Sequence, residues 1–169
     1  MSLKKFIFAF GLTAILMGCG EESKFYPKVQ MSAGEFTAGR ATNLGEAEAW
    51  GRWTTGTPFT FKFNQSLPSN FRLIITPTQA FGPNVGKNFA VTIGGQTTTG
   101  GQTQNFVGPS GASTGASQPI ILEFKNIPSG SDLLSMTIPE PSIADPINPR
   151  GDKRLLGLGM VTLEIAPLK

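Results

Sequence analysis

The 169-residue chain contains no histidine, one cysteine, one tyrosine and two tryptophans, and only 15% of its residues are charged. Each scarcity removes a class of chemistry. Without histidine there is no Ser-His-Asp or Cys-His relay and no imidazole to hold zinc. A single thiol can neither close an internal disulfide nor build a cysteine-based metal centre. The formal net charge is +3, and Lys4 and Lys5 stand at the very start of the chain. The remainder is nearly neutral and lacks the basic footprint of a nucleic-acid binder. No apolar run approaches the roughly 20 residues that a membrane-spanning helix needs. No phosphate loop occurs either: the glycines after Ile93 stand in a Thr/Gln-rich stretch with no helical pattern behind them. No cofactor and no metal are expected.

What remains is a chain able to build a core, with 39% hydrophobic residues, and rich in turn-formers, with 21 glycines and 13 prolines. Its start has a separate logic. Two lysines precede the apolar run Phe6 to Met17. As a helix this run would cover about 18 Å, against the ~30 Å hydrocarbon core of a bilayer, so it suits a signal h-region and not a permanent span. It ends in Leu16-Met17-Gly18-Cys19, which resembles the lipobox of bacterial lipoproteins. That resemblance implies cleavage after residue 18 and a diacylglycerol thioether with an acylated amine on Cys19, a palmitate-type anchor. Two or more chains hold a protein stably on a membrane. Residue 20 is Gly and not Asp, which under the family's sorting rule implies the outer membrane of the cell envelope, on its periplasmic or surface face. Residues 19–33 are expected to be a tether, polar and without sustained periodicity.

From residue 34 the pattern is that of strands. Phe59-Thr60-Phe61-Lys62-Phe63 and Phe89-Ala90-Val91-Thr92-Ile93 alternate apolar with polar side chains, as half-buried strands do. Further strands are expected at Ala49 to Thr54, Phe71 to Ile75, Pro119 to Phe124, Leu133 to Ile138 and Leu158 to Ile165. Leu44 to Trp50 is too short and too aperiodic for a helix. Residues 94–118 are low in complexity and read as a long loop, with a short strand at Phe106-Val107. Strands every 10–15 residues with turn signals between them predict an all-β fold, a jelly-roll-like β-sandwich over 34–169.

Three stretches carry candidate chemistry. In Glu48-Ala49-Trp50-Gly51-Arg52-Trp53, an extended strand would place Glu48, Trp50 and Arg52 on one face and Trp53 on the other, in the core. An aromatic ring beside an acid and a guanidinium suits a sugar, whose C–H face stacks on the ring while its hydroxyls meet the charges. The alternative is one core tryptophan and a Glu48–Arg ion pair. In Asp152-Lys153-Arg154, Arg154 either makes a structural pair with Asp152 or presents its fork to an anion. Ala80 to Asn84 reads as a turn in which Asn84 caps or faces a ligand. Glu46 and Glu48 could serve as a carboxylate pair, and Asp145 with Asp152 could ligate calcium; both need partners that the sequence does not supply.

In order, the chain reads E-x-W-G-R-W at Glu48 to Trp53, Leu67-Pro68, A-F-G-x-N at Ala80 to Asn84, V-x-I-G at Val91 to Gly94, I-P-x-P at Ile138 to Pro141, and D-x-R-x-L-G-L at Asp152 to Leu158. This series resembles a β-sandwich domain of unassigned function found at the ends of bacterial envelope sugar and phosphoglycerol transferases, over about residues 35–166. This chain departs from that pattern in its Gly/Thr/Ser-rich insertion at 94–118 and in having no transferase sequence attached. The resemblance implies an accessory module near glycans or glycerophosphate polymers and does not imply catalysis. Two roles stand as expectations: a non-catalytic protein binding carbohydrate or an envelope polymer through Glu48, Trp50, Arg52, Asn84, Asp152 and Arg154, or a scaffold binding another envelope protein. A carboxylate-dependent glycan hydrolase is a third.

Overall fold

Side-chain alternation governs the architecture. The chain was analysed as a computed structural model that describes residues 25–100 and 118–168. In β4 (Phe59–Phe63) all three rings are buried, while Thr60 and Lys62 point outward. The same in-and-out rhythm marks β6 (Phe89–Ile93), β8 (Ile120–Phe124) and β9 (Leu133–Thr137). Each such strand has one apolar face to hide, and the solution is two antiparallel sheets packed face to face.

One sheet runs β1 (Lys28–Gln30), β12 (Leu158–Pro167), β5 (Phe71–Ala80), β8, with β3 (Arg52–Trp53) also on β12. The other runs β2 (Gly39–Thr42), β4, β9, β6, β7 (Gln96–Gly100). The antiparallel pairs are nested: β6 with β7, β5 with β8, β4 with β9, β1 with β12. A ribbon paired in this way and wrapped so that successive pairs alternate between sheets is a jelly roll. Between the sheets lie Phe59, Phe61, Phe63, Phe71, Phe89 and Phe124, packed with the aliphatic residues of both inner faces. A two-stranded ribbon, β10 (Ser142–Ile143) with β11 (Leu155–Leu156), is hydrogen-bonded as a sheet of its own, with Leu156 buried.

Several expectations are corrected. The tether expected over 19–33 is too long: β1 lies inside it, paired to β12, with Val29 and Met31 buried in the core. Three residues of alternation between Pro27 and the turn at residue 32 are too few to stand out as a pattern. The 94–118 segment is not loop throughout. Gly94 and Gly95, both with positive φ (55° and 82°), make a two-residue hairpin turn into β7, a conformation natural to glycine. Phe106 and Val107 lie outside the described residues, as does Cys19. The strand expected over 49–54 is really a turn followed by the two residues of β3. The strand expected over 71–75 runs on to Ala80, and β12 passes Ile165 to Pro167. Among the described residues no helix is long and apolar enough to cross a membrane.

Candidate functional site around Trp50

The residues Glu48 to Gly51 form a tight reversal. Glu48 and Gly51 each donate a backbone N–H to the other's carbonyl, at 2.8 and 3.1 Å, with Ala49 and Trp50 at the tip. Gly51 makes this possible, since a Cβ there would lie 2.1 Å from the Met160 carbonyl oxygen of β12. Trp53, the second residue of β3, turns into the protein and is buried. Trp50 packs on it edge to face, with ring centroids 5.6 Å apart, and Phe81 packs on Trp53 in the same manner at 6.0 Å. Trp50 is therefore an outer ring on an aromatic stack, half-buried and not part of the core.

A chain of polar contacts fixes that ring. The indole Nε1–H donates to Glu48 Oε2 at 2.9 Å. Glu48 Oε1 accepts from Arg154 Nη1 at 2.8 Å. Arg154 also grips Asp152 in the bidentate manner, Nε donating to Oδ1 at 3.0 Å and Nη2 to Oδ2 at 2.7 Å. The Arg154 hydrogen bonds hold the Asp152 carboxyl below the usual carboxylate range. The two carboxylates in turn raise the Arg154 guanidinium above its already high ordinary value. Asp152 and Arg154 thus form the structural pair, one of the two readings of this stretch, with Glu48 as third member. Two negative charges flank one positive, which disfavours a phosphate or carboxylate ligand here and leaves carboxylate lone pairs for hydroxyl donors.

Two expected members stand elsewhere. Arg52 points away from Trp50, its Nε donating to the Met31 carbonyl at 2.9 Å and its Nη2 to the carbonyls of Ala33 and Gly34. The extended-strand reading put Arg52 with Trp50; the turn at 48–51 breaks that alternation. Arg52 staples the exit of β1 to β3 and stacks over Phe36, 4.9 Å from its centroid. Asn84 is fully buried. Its Nδ2 donates to the carbonyls of Phe81 and Glu140 at 3.0 and 2.8 Å, and its Oδ1 accepts the Glu140 N–H at 2.9 Å. No part of it is left for a ligand. Phe81, by contrast, belongs to the aromatic stack and was legible only as part of a turn.

The carboxylate readings fare no better in this geometry. Glu48 and Asp152 hold one guanidinium between them and do not oppose each other across a cleft, and Glu46 is exposed with no ion pair or hydrogen-bond partner among the described residues. Asp152 oxygens engaged by Arg154 are not free for calcium, and Asp145 Oδ1 accepts the Asn148 N–H in its own turn. No group of three or more acidic or thiol side chains able to hold a metal occurs among the described residues.

Fold and site together define a jelly-roll β-sandwich carrying an ordered Trp-Glu-Arg-Asp constellation at one end of its last strand. A family model, described as a domain of unknown function (DUF7024), matches residues 37–167. The chain belongs to that family. Neither the curated proteins nor the solved structures contain a match.

Proposed function

We propose that this protein is a lipid-anchored accessory component of the bacterial envelope that binds a neutral carbohydrate at Trp50. One observation carries the reading: a half-exposed indole whose N–H is fixed by Glu48, which is itself fixed by Arg154 and Asp152. A ring held in one orientation loses little entropy on stacking against a sugar. The edge-to-face contact with Trp53 occupies at most one of its faces. The carboxylate oxygens beside it accept hydroxyl hydrogens, and Arg154, neutralised by two acids, adds no net attraction for an anionic polymer. Arg52 and Asn84 take no part. Cys19 supplies the anchor, and Gly20 favours the outer membrane over the inner one.

The test is a glycan array probed with the full chain and with Trp50→Ala. Binding of neutral oligosaccharides by the parent, lost in the variant and insensitive to salt, is the expected result. Retention of binding by Trp50→Ala rules out this site. The anchor is tested separately: labelled palmitate is incorporated into the parent and not into Cys19→Ala.

A further inference from the structure

The free edge of the second sheet presents a site that is independent of Trp50. Among the described residues β2 is the last strand of that sheet, bonded on one side only, to β4. Asn64 donates its N–H to the Ala38 carbonyl, and these two residues stand opposite each other in the β2–β4 register. In an antiparallel ladder bonded pairs alternate with non-bonded ones. Arg40 and Thr42 therefore exchange hydrogen bonds with β4, whereas the N–H and C=O groups of Gly39 and Ala41 point away from it. Two donors and two acceptors are left facing out at the spacing of an extended chain, about 6.8 Å for two residues.

Those groups do not face open water alone. Gly39 and Ala41 line a groove of about 390 Å³, closed on its other side by the loop at residues 34–36 and by Leu44. Phe36, Ala41 and Leu44 are partly buried and give it an apolar floor. Arg40 stands exposed at its rim with no hydrogen bond or ion pair among the described residues. Arg52 lines it too, and although its donors meet carbonyls its charge is not cancelled. Against these two cations stands one acid, Glu35. Natural proteins blunt a bare edge with proline, a bulge or a covering loop. β2 has neither proline nor bulge, the loop at 34–36 stands beside the edge, and among the described residues nothing bonds the outward backbone groups of Gly39 and Ala41.

We infer that β2 is a strand-addition site for an extended segment of another protein, one that carries an acidic side chain for Arg40 and an apolar one for the Phe36–Leu44 floor. Backbone pairing supplies affinity and the alternate side chains supply selectivity. The two-residue repeat of donors and acceptors matches a polypeptide and not a sugar, so this groove and the Trp50 site take different chemical classes. The net positive rim selects the acidic member among extended peptides.

The test selects short random peptides displayed on phage against the full chain. Binders with alternating β-branched residues and an acidic position are expected, and they protect the Gly39 and Ala41 amides from hydrogen exchange. Ala41→Pro removes an outward N–H without touching the β2–β4 ladder and should weaken those peptides by roughly tenfold or more, with thermal stability unchanged. Arg40→Glu should weaken them at low salt and reverse the preference for acidic residues. Should Ala41→Pro fail to fold, N-methylation of the peptide at the positions that would bond β2 gives the same answer from the other side. Peptides that bind the parent and both variants equally overturn the inference, as does a selection yielding no binder that protects Ala41. Trp50→Ala must leave peptide binding intact, which separates failure here from failure of the carbohydrate reading.

Discussion

The carboxamide of Asn84 satisfies three backbone groups at once and in doing so ties the turn after β5 to the segment entering β10. Its removal leaves the Glu140 N–H and C=O without the partner that a fully buried side chain supplies. Asn84→Ala should cost about 1–3 kcal/mol in urea unfolding while leaving neutral-glycan binding unchanged. Asp152 gives a second prediction at this scale. Its carboxyl titrates lower folded than unfolded, so the pairing stabilises the fold above the unfolded carboxylate range and is lost as pH falls through the folded value. The Arg154 Nε–H resonance, which reports the Asp152 contact directly, should be constant near neutral pH and move only as acid protonates Asp152 below the usual carboxylate range. Asp152→Asn should remove the acid-side dependence due to this pair. The group is substantially exposed, so the effect on global stability is small.

At the scale of elements, β1 is the segment whose role changes most. A tether tolerates substitution, but Met31 is fully buried and its N–H bonds the Val161 carbonyl of β12. Met31→Ala should therefore cost about 2–5 kcal/mol, measured by chemical denaturation; a variant as stable as the parent would return residues 25–33 to the tether. The same element explains what was legible in advance. Strands such as β4 and β6, with five alternating residues, announce themselves. β1, β2, β10 and β11 are two to four residues long, and their pairing depends on strands far away in sequence. The candidate site followed the same rule. Its residue types and the Asp152–Arg154 pair were readable locally. The turn at 48–51, which sends Arg52 to the β1 exit and brings Glu48 to Arg154, required knowledge that Gly51 meets the backbone of β12. The β2 groove left no sequence signal, because its walls come from three separate segments.

For the molecule as a whole, the nested pairing sets the folding problem. Lys28 must find Glu164, and among the strand pairs of the described residues only β6 with β7 closes through a two-residue turn. Loop-closure entropy is spent before most of these contacts form, so refolding of the domain should take milliseconds to seconds. Stopped-flow tryptophan fluorescence would read this directly, Trp50 and Trp53 being the two indoles of the chain. Microsecond refolding would contradict the topology described above.

The shared edge of β12 also decides how the molecule responds to force. β1 and β3 lie end to end along that edge, β1 opposite residues 162–164 and β3 opposite Gly159 and Met160. The chain enters beside Ile165, where the Pro27 carbonyl accepts its N–H. A load drawn between the entering chain and anything held at Trp50 runs parallel to these strands. It puts the β1–β12 bonds in shear, so that they must break together. A load between the entering chain and Pro167, at the same pole, peels them one by one. The domain should hold far greater tension along the first direction than along the second, a difference that single-molecule pulling from the two attachment points would measure.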